Sequence, residues 1–501
     1  MKFQKTQIFL FLFSNFLRCI ESTEWFTKIN SNDGIVFYQD KTIVLDEFST
    51  PSKLKCIQTC LSFDSSCQFF KHNKKEICTI FISIEKDFFY GKTNIYLREK
   101  KLPRVHFLNN SFLDQSELVR LSQTSIDLFR SGLSQIVPYA FELCNRVETL
   151  NLSFNNLTKI YSKSFYGMTK LKRLIMSFNQ ISLLESNVFQ DLPALYILEL
   201  NNNLIANIDE NLFNNLQELE MIILNSNQIE TLVNYTFKNL IKLKRINLAS
   251  NKLKSIDLIF LNLDQFYLLD VSFNQINTIH NDTFKALRKI QEIYLGNNKI
   301  SEINSEIFKG LENLKILRLG MNEINKINSN FSLDLSNLTD LEFSYNNLSF
   351  IESNFFQGFV KLVDLRLYAC NIKSINLDSL VKLNYLNLGF NQIQYFSQNL
   401  SSLTILLLNS NPLGNLSYPL ITSQNSSLRD LDISDCLLKS IDFNYLRSLS
   451  LLKILRISGN SIPFNNQSFT GFKSLEQIFL DKTEVDIYKN IFTNITLSIK
   501  T

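Results

Sequence analysis

The chain has 501 residues, 45% of them hydrophobic, with 51 basic against 47 acidic side chains. Its net charge of +4 falls to +2 once Lys2, Lys5, Arg18 and Glu21 of an amino-terminal leader are removed, which excludes the strongly basic balance of a nucleic-acid binder. Only three histidines occur, His72, His106 and His280, and the chain carries no G-x-S-x-G, P-loop, H-E-x-x-H or metal-spaced Cys/His set, so no catalytic site, cofactor or metal is expected.

In chain order, residues 1–22 come first. Lys2 and Lys5 precede an apolar stretch from Ile8 to Leu17 and then smaller or polar residues, the pattern of a secretory signal peptide. No other run reaches the ~18 apolar residues that a membrane span needs. The tail from Asn494 to Thr501 is polar, unlike a glycolipid-anchor signal. A secreted or extracellular protein is the expectation.

Residues 25–101 read as a separate small α+β module. Cys56, Cys60, Cys67 and Cys78 cluster here, and four cysteines in a short secreted segment suggest two disulfides, with three connectivities open. The C-x-x-x-C on an expected helix, the Cys67-Gln68-Phe69-Phe70 strand, Cys78-Thr79-Ile80 and the later Tyr96 resemble the PAN or apple module. That resemblance implies pairing of Cys56 with Cys78 and of Cys60 with Cys67, and a role in binding protein or carbohydrate. A plain stapled cap over the first repeat is the alternative.

From residue 105 to 501 one phrase dominates. L-x-L-x-x-N-x-L or a close variant recurs about 17 times, with Asn155, Asn179, Asn203, Asn227 and Asn251 spaced by 24 residues and Asn274, Asn298, Asn322 and Asn346 continuing at 23 or 24. A period of 20 to 29 marks a solenoid. Within one turn, Leu150 and Leu152 must point inward from a short strand; a single turn cannot cover them, so successive strands stack about 4.8 Å apart and share a core. The inward bend that follows strands backbone N–H and C=O groups in a dry interior, where an Asn amide can donate and accept at once. Ten residues later a second spine is expected, at Phe141, Phe165, Phe189, Phe213, Phe237, Phe284, Phe308 and Phe356. Together these positions resemble the extracellular animal type of leucine-rich repeat. The resemblance implies a curved parallel β-sheet with an irregular or short-helical convex side, and recognition, adhesion or signalling as the range of functions.

Departures from the phrase are informative. Ser131, Cys370, Cys436 and Thr483 fall in the asparagine slot, and the turns ending at Asn391 and Asn411, spaced by only 21 and 20, lack the phenylalanine, so tighter convex segments are expected. Cys144 stands where other turns place Met168, Leu192 or Leu216 and should be core. Cys370 and Cys436, three turns apart, lie roughly 15 Å from each other at sheet spacing, beyond disulfide reach.

Function is then sought on the concave strands, where residues six, four, two and one before each ladder residue face solvent. In the turns at Asn155 to Asn227 these columns hold Phe154, Ile175, Phe178, Ile197, Met221 and Ile223. Exposed apolar neighbours suggest a partner. For Phe154 and Phe178 the alternative is that the rings fold over the sheet edge as packing. Further on, Arg318, Glu342 and Arg366 occupy one column on three successive turns, a lateral charge ladder that serves either binding or mutual neutralisation worth only ~0–1 kcal/mol. Asp340, Asp364, Asp430, Asp432 and Asp435 tilt this half acidic; a solvated acidic face is the plain reading, with a calcium site or a basic ligand as alternatives, and the spacing matches no calcium loop. Thirteen sequons, at Asn109, Asn151, Asn156, Asn234, Asn281, Asn330, Asn337, Asn347, Asn399, Asn415, Asn425, Asn466 and Asn494, fit a glycoprotein. The reading is a non-catalytic recognition protein for an extracellular protein or glycan ligand, with a matrix glycoprotein, or a receptor ectodomain continuing past Thr501, as alternatives.

Overall fold

The structure, a computed structural model, describes residues 124–499 except 258, 261, 328–330, 332–334, 490 and 492–494. It also describes the backbone of five short strands nearer the amino terminus, in which Ile35–Tyr38 pairs antiparallel with Thr42–Leu45, Phe69–His72 pairs antiparallel with Cys78–Phe81, and Phe107–Leu108 runs parallel to Gln135–Ile136. The leader at 1–22, the body of the 25–101 module, Cys56, Cys60, Cys67, the side chain of Cys78, and Asn109, Asn330 and Asn494 lie outside the described residues.

Two compact units divide the chain, Met1–Ile223 and Leu224–Thr501. In the first, the strands Ser125–Asp127, Thr149–Asn151, Arg173–Ile175, Ile197–Glu199 and Met221–Ile223 form one parallel ladder in this order. In the second, twelve strands do the same from Arg245–Asn247 to Thr496–Ile499. Each three-residue strand buries its middle side chain and leaves those beside it half-buried or exposed, as Leu150, Leu174, Leu198 and Ile222 show. This is the expected alternation. Leu150, Leu152, Leu157, Ile160, Phe165 and Met168 are all fully buried in a single turn, each stabilising it by roughly 1.5–3 kcal/mol before conformational entropy is charged.

The asparagine ladder is the second structural device. The Nδ2 of Asn155 donates to the carbonyls of Leu128 at 2.9 Å and Leu152 at 2.8 Å, while its Oδ1 accepts from the N–H of Leu133 at 3.0 Å. One amide thereby ties two turns together. In the second unit Asn251 repeats this with Leu224, Leu248 and Ile229, all at 3.0 Å. The phenylalanines stack behind it, with ring centroids 6.1 Å apart for Phe141–Phe165 and Phe165–Phe189 and 5.8 Å for Phe284–Phe308.

The irregular slots solve the same problem differently. Cys370 Sγ donates to the carbonyls of Phe343 and Tyr368, and Cys436 Sγ to those of Leu408 and Ser434. A thiol, however, does not replace the amide oxygen: the N–H of Leu348, whose counterpart Ile324 donates to Asn346 Oδ1, turns to the carbonyl of Cys370 at 2.8 Å. The oxygen of the next asparagine then serves two amides, Asn391 accepting from Cys370 and Ile372, and Asn460 from Cys436 and Leu438. In the short turn at Asn391, Leu377 stands where the phenylalanine would be, with Leu380 in the slot that follows, and buried Gln398 accepts from the N–H of Leu377 at 2.6 Å.

Among the described residues regular turns number about 14 rather than 17. Thr483, expected in a ladder slot, lies in the helix Lys482–Tyr488, whose start is fixed by Glu484 accepting from the N–H of Asp481 at 3.0 Å. Ser131 is buried in its slot without the amide that makes the ladder bonds.

Candidate functional site

Lateral register assigns the ladder-face side chains of the first unit to two rows. One runs Thr149, Arg173, Ile197, Met221, and the other Asn151, Ile175, Glu199, Ile223. Ile197 and Met221 are therefore direct neighbours on adjacent strands, whereas Ile175 and Ile223 sit on either side of Glu199. The four apolar side chains are half-buried rather than fully exposed, and they do not form the unbroken patch expected. Arg173 crosses the rows and donates from Nε to Glu199 Oε1 at 3.0 Å, placing an ion pair among them. Both members were missed by a reading of apolar residues alone. The signal was present in opposite charges at the first and third positions of successive strands. Beyond the pair, Asn151 donates to Asp127 at 3.0 Å and Ser177 to Asn201 at 2.6 Å, so the surroundings are polar and locally satisfied.

Phe154 and Phe178 occupy the position just before the ladder asparagine. The backbone there is left-handed, with φ of 58° and 56°. That geometry aims the side chain outward, and the rings are 39% and 44% exposed. They stack on each other at 4.3 Å, Phe129 meets Phe154 edge-on at 5.1 Å, and the guanidinium of Arg130 lies 5.1 Å from the Phe129 and Phe154 centroids. The phenylalanines thus pack laterally and also present an aromatic row to solvent.

In the second unit Arg318, Glu342 and Arg366 are lateral neighbours, but their charges do not pair in series. Arg318 Nη2 approaches Asp340 Oδ1 at 2.6 Å, with Glu342 at 3.6 Å from Nη1, and Arg366 donates twice to Asp364 of its own strand, at 2.8 and 2.9 Å. Residues i and i+2 share one strand face, so an aspartate two positions back is within reach of the guanidinium. Burial raises the Asp340 carboxyl above its ordinary range, with Arg318 opposing, and the Tyr294 hydroxyl is pushed up to about 12 by burial and by donation to Glu292. Hydrogen bonding to Asp364 holds Arg366 firmly charged.

The thiols of Cys144, Cys370 and Cys436 are buried, and burial pushes each up to about 12. Asn156, Asn234, Asn281, Asn347, Asn399, Asn415, Asn425 and Asn466 are exposed, while Asn151 and Asn337 are half-buried. Among the described residues no group of three His, Cys, Asp or Glu side chains could hold a metal ion, and no helix is long and apolar enough to cross a membrane.

Residues 134–266 and 389–500 match the BspA type Leucine rich repeat region, in six copies, and residues 264–324 and 312–372 match Leucine rich repeat. Comparison with curated proteins finds no match. Among solved structures, a leucine-rich repeat protein of Leptospira interrogans is similar with a TM-score of 0.63 and 22% identity, over 78% of this chain and 98% of its own. TLR13 in complex with ssRNA13 gives 0.58 and 22%, over 78% of this chain and 55% of that one. Toll in complex with Spatzle, from Drosophila, gives 0.52 and 18%, over 79% and 53%. The chain spans about half of the TLR13 and Toll chains. At these identities the likeness is one of fold, and with the family matches, the strand register and the asparagine ladder it leads to one conclusion: the chain is a leucine-rich repeat protein.

Proposed function

We propose that the protein is an extracellular, non-catalytic recognition protein whose first unit captures a macromolecular partner on its strand face. The observation that carries this is the register that sets Ile197 beside Met221, with Ile175 and Ile223 flanking the Arg173–Glu199 pair, all directed away from the core. Apolar anchors around a charged pair form a surface that a partner can desolvate at its centre and match at its rim. In the charge balance of this face Arg173 and Arg130 stand against Asp127 and Glu199, so a protein or glycan ligand suits it better than a polyanion. The TLR13 and Toll structures carry ssRNA13 and Spatzle by name, consistent with recognition as a use of this fold. In this proposal residues 1–22 direct secretion, Cys56–Cys78 and Cys60–Cys67 staple a PAN-like module, and the exposed sequons carry glycans.

Exchange of Ile197 and Ile223 for Asp tests the reading. Secretion and thermal unfolding should be retained, because both side chains lie outside the core, while capture by cells or extracellular extract weakens by about 2 kcal/mol or more. Lost secretion would place these residues in the core. Unchanged capture would remove the face from the interaction.

A further inference from the structure

The left-handed column before the ladder residue carries large side chains in the second unit as well. Met321, Tyr345 and Phe390 adopt φ of 55°, 60° and 56° and are 50%, 50% and 51% exposed. Tyr368, one residue before the column position, bridges them: its ring lies 5.2 Å from Tyr345 and 4.9 Å from Phe390. Elsewhere in the same column stand Asn202, Asn297, Ser226, Ser410 and Gly459, residues that suit a left-handed backbone or are at least polar, beside the apolar Phe273 and Ala369. A continuous row of three aromatic rings, Tyr345 and Phe390 exposed and Tyr368 half-buried between them, is therefore not a requirement of the turn.

The first unit shows what such a row accommodates. There the Arg130 guanidinium lies over Phe129 and Phe154. Among the described residues no ammonium or guanidinium lies over Tyr345, Tyr368 or Phe390. The strand face beside this row is acidic: Glu292, Asp340, Glu342 and Asp364 stand against Arg318, which lies 2.6 Å from Asp340 and 3.6 Å from Glu342, and Arg366, which is paired with Asp364. Glu342 ends the strand Asp340–Glu342 that leads into Tyr345, three residues before it, and its side chain covers Gly320, where an added Cβ would come within 3.1 Å of Oε1.

We propose that the Tyr345–Tyr368–Phe390 row and Glu342 form a docking surface for a Lys/Arg-rich protein segment, whose cationic side chains lie on the rings and are neutralised by the carboxylate. Ring faces and an adjacent carboxylate recognise a cation jointly, and the pairing strengthens as the partner excludes water. The occupant follows from charge: this face is locally negative on a chain whose overall charge is +4, so attraction of a cation has a local source. The surface is independent of the Ile197–Met221 patch, and each can fail without the other.

The test uses the full secreted chain and a fluorescent nona-arginine peptide, with nona-glutamate as the reversed-charge probe, at physiological salt. Saturable binding of nona-arginine is expected, weakened at least fivefold by Tyr345→Asn and by Glu342→Gln, and unchanged by Ile197→Asp/Ile223→Asp or by Glu302→Gln, a carboxylate in the separate strand Glu302–Ile303. Asn already stands at this column position at 202 and 297, so Tyr345→Asn should fold; Phe390→Ser, matching Ser410, supplies a second ring deletion with the same expected loss. Absence of saturable binding, equal capture of nona-glutamate, undiminished affinity in the ring or Glu342 variants, or an equal loss with Glu302→Gln would each overturn the proposal.

Discussion

Replacing Asn251 with Leu removes one amide of nearly the same volume and, with it, three hydrogen bonds to buried backbone. The carbonyls of Leu224 and Leu248 each lose a donor at 3.0 Å but keep the amides of Asn227 and Asn274, while the N–H of Ile229, also at 3.0 Å, loses its acceptor. At about 1 kcal/mol for each net hydrogen bond, and up to about 3 for a buried group left unsatisfied, the expected loss is about 3 kcal/mol. Exchange at exposed Asn281, outside the ladder, should cost under about 0.5 kcal/mol. Asn251→Cys should fall between the two: a thiol can donate to a carbonyl as at Cys370, yet Ile229 would lose its acceptor unless the backbone shifts as it does around Leu348. Thermal unfolding of the three variants gives the ranking, and amide exchange at Ile229 locates the damage. If Asn251→Leu and Asn281→Leu cost the same, the asparagine ladder does not hold the turns together, and the reasoning fails.

Cys144, Cys370 and Cys436, buried and with thiols pushed up to about 12, should resist iodoacetamide at neutral pH in the folded chain and react once denaturant is added; peptide mapping that finds any of them labelled in native protein contradicts the burial. Asp257 is partly buried, which raises its pKa, but hydrogen bonds from His280 N–H, Ser255 and Thr283 outweigh this and bring it below the ordinary 3.8. A lowered folded-state pKa contributes stability above the unfolded value that is lost as the pH falls through the folded one. Asp257→Ala should therefore cost about 1 kcal/mol at pH 7, and the gap to the parent chain should narrow below pH 3.8; a gap that widens there reverses the sign argued here.

The turn was legible because each of its buried slots makes one stereochemical demand. Only an inward apolar side chain suits Leu150, and only a group that donates and accepts suits Asn155, so both repeat and can be counted. Side chains on the face obey no such demand. Nothing in the spacing of Arg318, Glu342 and Arg366 reveals that Arg366 turns to Asp364 within its own strand, because that choice depends on side-chain reach and not on register. At Thr483 a polar residue satisfied the slot pattern while a competing signal went unread, the Asp481-x-x-Glu484 spacing that starts a helix. The cysteine slots were legible as substitutions but not in their consequence, the left-handed Asn371 and Leu437 that follow them.

The same gap affects Phe154 and Phe178, where packing and recognition were both open and the rings both stack on each other and face solvent. Left-handed backbone costs a non-glycine residue about 1–2 kcal/mol, and a stacked ring pair returns about 0.5–1.5 kcal/mol. These nearly cancel, so stability alone does not account for a phenylalanine where Asn202 serves in the same column. Phe178→Asn relieves the backbone and removes the 4.3 Å stack on Phe154, and its net effect on thermal unfolding should stay within about 1 kcal/mol. Capture of the partner should nonetheless fall, because the half-exposed ring is absent from the face. A loss of stability well above 1.5 kcal/mol with undiminished capture would make the ring a packing element of the sheet edge and remove Phe154 and Phe178 from the recognition surface.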